Sequence, residues 1–132
     1  MTLDGVGMTA FTGGASVEAL YTDRYRDVPK GCGVYIVVRD GLASARFSPH
    51  SKAGWFKGLD PSYPPEIVKR AWVPKARIVY VGKAAGKKGL RQRVRHLIDF
   101  GFGKAVGHRG GRLLWHLGGH RKLKLFWMLA QI

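Results

Sequence analysis

Arg77-Ile78-Val79-Tyr80-Val81-Gly82-Lys83 is the stretch whose reading decides the fold. Its first five residues are β-branched and aromatic enough for a strand, and a glycine closes them. Eight residues beyond Gly82 begins Leu90-Arg91-Gln92-Arg93-Val94-Arg95-His96-Leu97. There Leu90, Val94, Leu97 and Ile98 fall at i, i+4, i+7 and i+8, which is one stripe of a helix spanning Leu90–Phe100. Gly101 and Gly103 end it. Earlier in the chain, Cys32–Val38 is a second β-branched run, a buried strand that contains Gly33-Val34-Tyr35. Two strands, each offering a tyrosine, therefore precede an arginine-rich helix.

Working outward, Ser16 is placed to cap a short helix over Val17–Tyr21, and residues 1–15 carry little periodicity. Arg39-Asp40-Gly41 reads as a turn. Residues 39–77 are a long insertion between the two tyrosine strands. Within it, Ala45–Phe47 is a short strand and Gly54–Gly58 an aromatic loop. Pro64–Trp72 is a helix with Ser62 or Asp60 as its cap. Ala84–Gly89 and Gly107–Gly111 are basic glycine loops, and Arg112–Leu117 is a short helix. Lys122–Leu129 alternates as a third strand, with Leu123, Leu125, Trp127 and Leu129 on one face. The expected class is α+β: a small antiparallel three-stranded sheet flanked by helices, in one domain over 1–132.

Charge narrows the partners. The net charge is +15, and the 53 residues from Tyr80 onward hold 12 Lys and Arg against one acid, Asp99. Such asymmetry fits a polyanion. No apolar run is long enough to span a membrane, and Met1–Ala10 lacks a basic leader. The single cysteine, Cys32, allows no intrachain disulfide and suits the cytoplasm. The loop Gly82–Gly89 lacks the Ser or Thr that must follow Gly-Lys in a nucleotide-binding loop, so no nucleotide cofactor is expected. It still offers Lys83, Lys87, Lys88 and backbone N–H groups to a nucleic-acid phosphate. No cysteine pair exists for zinc, and Gly118-Gly119 separates His116 from His120, so each histidine is expected to face solvent or phosphate.

Alternation along the strands puts Tyr35 with Gly33 and Val37, and Tyr80 with Ile78 and Gly82. If the strands pair antiparallel, both phenols share a site beside small glycines; two core tyrosines with hydrogen-bonded hydroxyls are the other reading. At roughly 100° per residue, Arg93 lies at the margin of the apolar stripe beside Leu97. Arg91 takes the other margin, Arg95 and His96 turn to solvent, and Asp99 falls opposite the stripe. An arginine at such a margin can fork onto a phosphate while its stem packs on apolar atoms.

These motifs resemble the GIY-YIG nuclease superfamily. Gly33-Val34-Tyr35 looks like its first motif, Tyr80-Val81-Gly82 like its second, and Arg93, eleven residues after Gly82, like its essential arginine. The resemblance covers residues 31–127 loosely and 78–98 well. It implies a DNA-binding endonuclease domain acting on double-stranded DNA. Tyr35, Tyr80 and Arg93 would be its catalytic residues, with His96 a weaker member. A divalent ion, Mg²⁺ or Mn²⁺, would be held by a glutamate on a helix after the third strand. Lys83, Lys87, Lys88, Arg91, Arg95, His108, Arg109, Arg112 and Lys57 would contact nucleic acid. Some 44 residues separate Tyr35 from Tyr80, and within them the insertion 39–77 would be an added subdomain in which Trp55 and Phe56 join Lys57. The departure is the glutamate. Glu18 and Glu66 both precede the second motif, so the chain is expected to lack the family's C-terminal helix. A non-catalytic nucleic-acid-binding module on the same fold is the alternative, and a small basic RNA-associated protein of another fold is a third.

Overall fold

In a computed structural model of the chain, which describes residues 10–41, 44–106 and 111–131, the elements follow in this order. Strand β1 is Thr12–Ser16, helix α1 Val17–Thr22, β2 Gly33–Val38, α2 Pro65–Ala71, β3 Ile78–Ala84, α3 Gly89–Gly101 and β4 Lys124–Leu129. Single 3₁₀ turns cover Arg112–His116 and His120–Lys122. The fold is α+β. Its sheet has four strands in the order β1-β4-β2-β3, all neighbours antiparallel.

The tyrosine strand β2 lies between β3 and β4, and both its faces are covered. Tyr35 and Val37 enter one core with Leu90, Val94, Leu97 and Ile98 of α3. Ile36 and Val38 pack with Phe126 on the other face. That two-sided burial is why β2 reads as a continuous apolar run and not as an alternating one.

The strand β1 corrects the expectation of three strands, because all but its last residue lies within residues 1–15, which carry little periodicity. Its hidden cause is the partner. A side chain on Gly13 would come within 2.6 Å of the Trp127 ring, and one on Gly14 within 2.9 Å of Phe126. Both glycines have positive φ (+103° and +100°), so the strand is bent, poor in side chains and held by β4. Periodicity cannot detect such a strand. The expected strand at Ala45–Phe47 reduces to one bridge, Phe47 to Leu117.

Helix α1 begins where Ser16 predicts, its Oγ accepting the Ala19 N–H at 3.0 Å. For α2 neither expected cap is used: Pro64 occupies the position, and the Asp60 carboxylate accepts the Ser62 N–H instead. Helix α3 buries more than its stripe. Because α1 packs on a second side of it, Asp99 is buried too, at 6% exposure, against the reading that put it opposite the core. Its carboxylate accepts two hydrogen bonds from the Arg24 guanidinium, each 3.1 Å, and a short one from the Tyr25 hydroxyl.

The insertion shares the main core and is no separate subdomain. Ala53 and Val68 are buried, and the Phe47 ring meets Trp72 edge-on at 5.3 Å. Its anchor is His116, buried at 1% exposure. Nε2 accepts the Tyr63 N–H at 3.1 Å, which leaves Nδ1–H to donate to the Ser48 carbonyl at 2.7 Å. The sequence reading that turned this histidine outward is corrected: one imidazole ties Ser48 and Tyr63, two separate points within the insertion, to the turn after α3.

Burial pushes the Asp99 carboxyl up, but the hydrogen bonds from Arg24 and Tyr25 outweigh it and hold it below its ordinary value. A depressed carboxyl contributes stability that is complete above its unfolded value, about 4, and is lost as pH falls through the folded one. Asp99→Asn is expected to cost about 1–3 kcal/mol at neutral pH. It should also flatten the loss of stability below about pH 4, as read by urea melts across pH.

Candidate functional site

Antiparallel pairing of β2 with β3 sets Tyr35 opposite Gly82 and Val37 opposite Tyr80. The two tyrosines therefore sit diagonally on one face, their ring centroids 6.1 Å apart and their planes tilted by 35°. Gly82 is the enabling residue. A Cβ there would lie 2.1 Å from Cζ of Tyr35, so the Tyr35 ring rests directly on the glycine backbone. Helix α3 crosses this face, and Arg93 reaches both phenols electrostatically. The structure thus brings Tyr35, Tyr80 and Arg93 together.

Their environments differ. Tyr35 is wholly buried, and its hydroxyl has no partner that meets hydrogen-bond distance and angle, although the Tyr80 phenol is its near neighbour. Burial raises its pKa most, nearby Tyr80 raises it further, and Arg93 opposes them. Tyr35 is therefore a neutral phenol at any physiological pH. Tyr80 is half-buried. Desolvation raises its pKa, but the Tyr35 hydroxyl and the Arg93 charge both pull it down. Of the pair, Tyr80 is both the accessible phenol and the more readily ionised one. Arg93 is exposed and makes no hydrogen bond or ion pair with any described residue, so its fork is open to a ligand.

His96 is half-buried, which corrects its expected solvent orientation. Burial first, then the charges of Arg95 and Arg93, lower its pKa, so it is neutral at pH 7. Lys83 does not join the tyrosines. It pairs with Val34, and alternation sends it to the opposite face of the sheet from Gly82.

The basic residues at the start of α3 form a groove of about 350 Å³ lined by Lys30, Lys87, Lys88, Arg91, Gln92 and Arg95. Arg91 is partly committed: Nε donates to the Val28 carbonyl at 2.7 Å and Nη2 to Arg26 at 3.0 Å. Two backbone N–H groups at the helix start are also committed. Leu90 N–H donates to Gly31 and Arg91 N–H to Pro29, because Gly89 (φ +59°) lets the helix start dock on residues 29–31. What the groove offers is side-chain charge. Lys30, which the sequence reading missed, is signalled only by the Pro29-Lys30-Gly31 break before β2.

Arg112 belongs to the insertion's anchor, donating to the Asp60 carbonyl at 2.6 Å and stacking over Tyr63. Lys57 stands over the Phe56 ring at 5.4 Å, remote in sequence from both tyrosine motifs. His108 and Arg109 lie outside the described residues. So does most of the loop Gly107–Gly111.

The described residues do not fit the divalent-ion centre that the resemblance implies. Among them no group of three or more His, Cys, Asp or Glu side chains assembles to hold a metal. Asp99, the one carboxylate after Arg93, is occupied by Arg24 and Tyr25. No helix among the described residues is long and apolar enough to cross a membrane.

Compared with family models, with curated proteins and with solved structures, the chain matches none.

Gly82→Ala is expected to displace the Tyr35 ring and cost about 1–3 kcal/mol. Gly86→Ala, where a Cβ meets nothing within 4 Å, should stay within about 0.5 kcal/mol of the parent. Thermal melts of the two variants check this, and near-ultraviolet circular dichroism should change only for Gly82→Ala.

Proposed function

We propose that this chain is a DNA-binding domain of the GIY-YIG type, in which Tyr80 and Arg93 hold a backbone phosphate and phosphodiester hydrolysis is the reaction. The observation that carries the reading is the meeting of Tyr35 and Tyr80 on one face, near enough to Arg93 for its charge to act on both phenols, while Arg93 makes no hydrogen bond or ion pair among the described residues. Three short motifs far apart in sequence meet there, in a chain of net charge +15. An unrelated basic fold would leave that meeting unexplained.

The roles follow from the environments. Arg93 presents a planar fork that can donate two hydrogen bonds to phosphate oxygens and offset charge developing on them. Tyr80 reaches the same phosphate, or the water that attacks it, through its phenol. Tyr35 stays protonated behind Tyr80 and biases that hydroxyl. A free phenol titrates near 10, about three units above neutrality, and burial moves Tyr80 further up. Arg93 and Tyr35 only partly offset this. Tyr80 is therefore assigned to orientation, not to full deprotonation before a substrate arrives. The groove of Lys30, Lys87, Lys88 and Arg95 would track the neighbouring backbone.

A second reading has its own support. Because Asp99 is consumed in an ion pair and no metal-ligating cluster forms among the described residues, the same site can bind a phosphate without cleaving it. The partner is DNA in both readings.

If about six phosphates are contacted, affinity for duplex DNA should fall roughly a thousandfold between about 50 and 200 mM salt. A flat dependence would exclude both readings. In the nuclease reading, plasmid nicking with Mg²⁺ or Mn²⁺ should drop at least about a hundredfold in Arg93→Ala and persist in Arg95→Ala. Salt-sensitive binding without nicking by the parent protein would select the non-catalytic module.

A further inference from the structure

The insertion ends in an aromatic tip that the phosphate site does not use. Trp55 is 57% exposed, Phe56 38% and Leu59 58%, three of the seven large apolar side chains exposed among the described residues, within five residues. Scattered apolar residues on a surface need no explanation, but a cluster on one projecting turn does. The turn is built to hold its shape. Phe56 and Leu59 bridge across it, and Lys57 (φ +54°) and Gly58 (φ +74°) both take the left-handed conformation that tightens a two-residue hairpin. Its base is fixed: Ala53 is buried, and the Gly54 N–H donates to the Phe100 carbonyl at 2.9 Å. A side chain at Gly54 would lie 1.7 Å from the Lys104 carbonyl, so the backbone of the tip is pressed against the end of α3.

We infer that this tip is a nucleobase-stacking site, which inserts Trp55 at an unpaired or unstacked base of the bound DNA. The inference rests on the DNA-binding reading above and adds to it a preference for DNA structure. Charge around the tip favours a nucleic acid. Lys52, Lys57 and Lys104 are exposed on the tip or on the segment it docks against, and Asp60 is the one carboxylate within its sequence neighbourhood. Apolar wedges flanked by cations are how proteins unstack base steps, and an aromatic ring stacks on any base without reading its identity. The position also fits. Gly54 is bonded to Phe100, seven residues along α3 from Arg93, which is about 10 Å of helix.

The test measures fluorescence anisotropy of the full chain with labelled DNA as a blunt duplex, as a duplex with a one-base bulge and as a single strand. The parent should bind the bulged and single-stranded forms more tightly than the blunt one. Trp55→Ala should lose about tenfold on those two forms and little on the blunt duplex, with its salt slope unchanged. Trp55→Phe should retain most of the affinity, and Lys57→Ala should lower the salt slope by about one on all three forms. As Trp55 is exposed, its variants should melt with the parent, which keeps the comparison free of folding effects. Trp55→Ala binding all three forms like the parent, while the parent keeps its salt-sensitive binding, would overturn the stacking site and leave DNA binding standing. Absence of salt-sensitive binding in the parent would overturn both. Loss of binding to phosphatidylserine vesicles in Trp55→Ala, with DNA affinity unchanged, would reassign the tip to a membrane surface.

Discussion

The close approach of the Tyr35 ring to the backbone of Gly82 is the constraint on which the rest depends. With a Cβ there at 2.1 Å, no other residue fits without moving the ring or the strand. That single absent side chain fixes the register of β2 against β3, because a slip of one residue would present Val81 or Lys83 to the ring. The same register sets Tyr80 diagonally beside Tyr35, under α3. Packing, pairing and site geometry are here one arrangement.

A second constraint holds the helix that supplies Arg93. Helix α3 is clamped at both ends: residues 29–31 take its first N–H groups, and Asp99 near its end is held by Arg24 and Tyr25 from the segment after α1. A buried carboxylate costs desolvation, and the pair is a weak source of stability beside the apolar core. Its consequence is orientation. With both ends fixed, Arg93 keeps its place near the two phenols. The same arrangement commits Asp99, the one carboxylate after Arg93 in the sequence, to Arg24 and Tyr25.

The insertion is a structural extension of the domain that ends in an exposed aromatic tip. His116 closes it with two hydrogen bonds, and Ala53, Phe47 and Trp72 join it to the core. A rigid base below a projecting apolar turn holds Trp55 at a fixed offset from α3. An added loop without that anchoring would lose more conformational freedom on meeting a ligand.

The sequence by itself determined β2, β3 and α3, because their signals are local: β-branched runs, one clean apolar stripe and glycines at their ends. It also placed Tyr35, Tyr80 and Arg93 on compatible faces, since alternation and helical period are properties of the chain alone. Tertiary structure decided whatever depended on a partner. Strand β1 exists because Trp127 and Phe126 cover two glycines, and no periodicity records that. Asp99 and His116 are buried because elements distant in sequence close over them, although each looks solvent-facing in its own segment. Lys83 follows Gly82 in sequence, yet the pleat sends it to the other face of the sheet. Periodicity says which way a side chain points within its own element; only the packing of the other elements determines what it meets there.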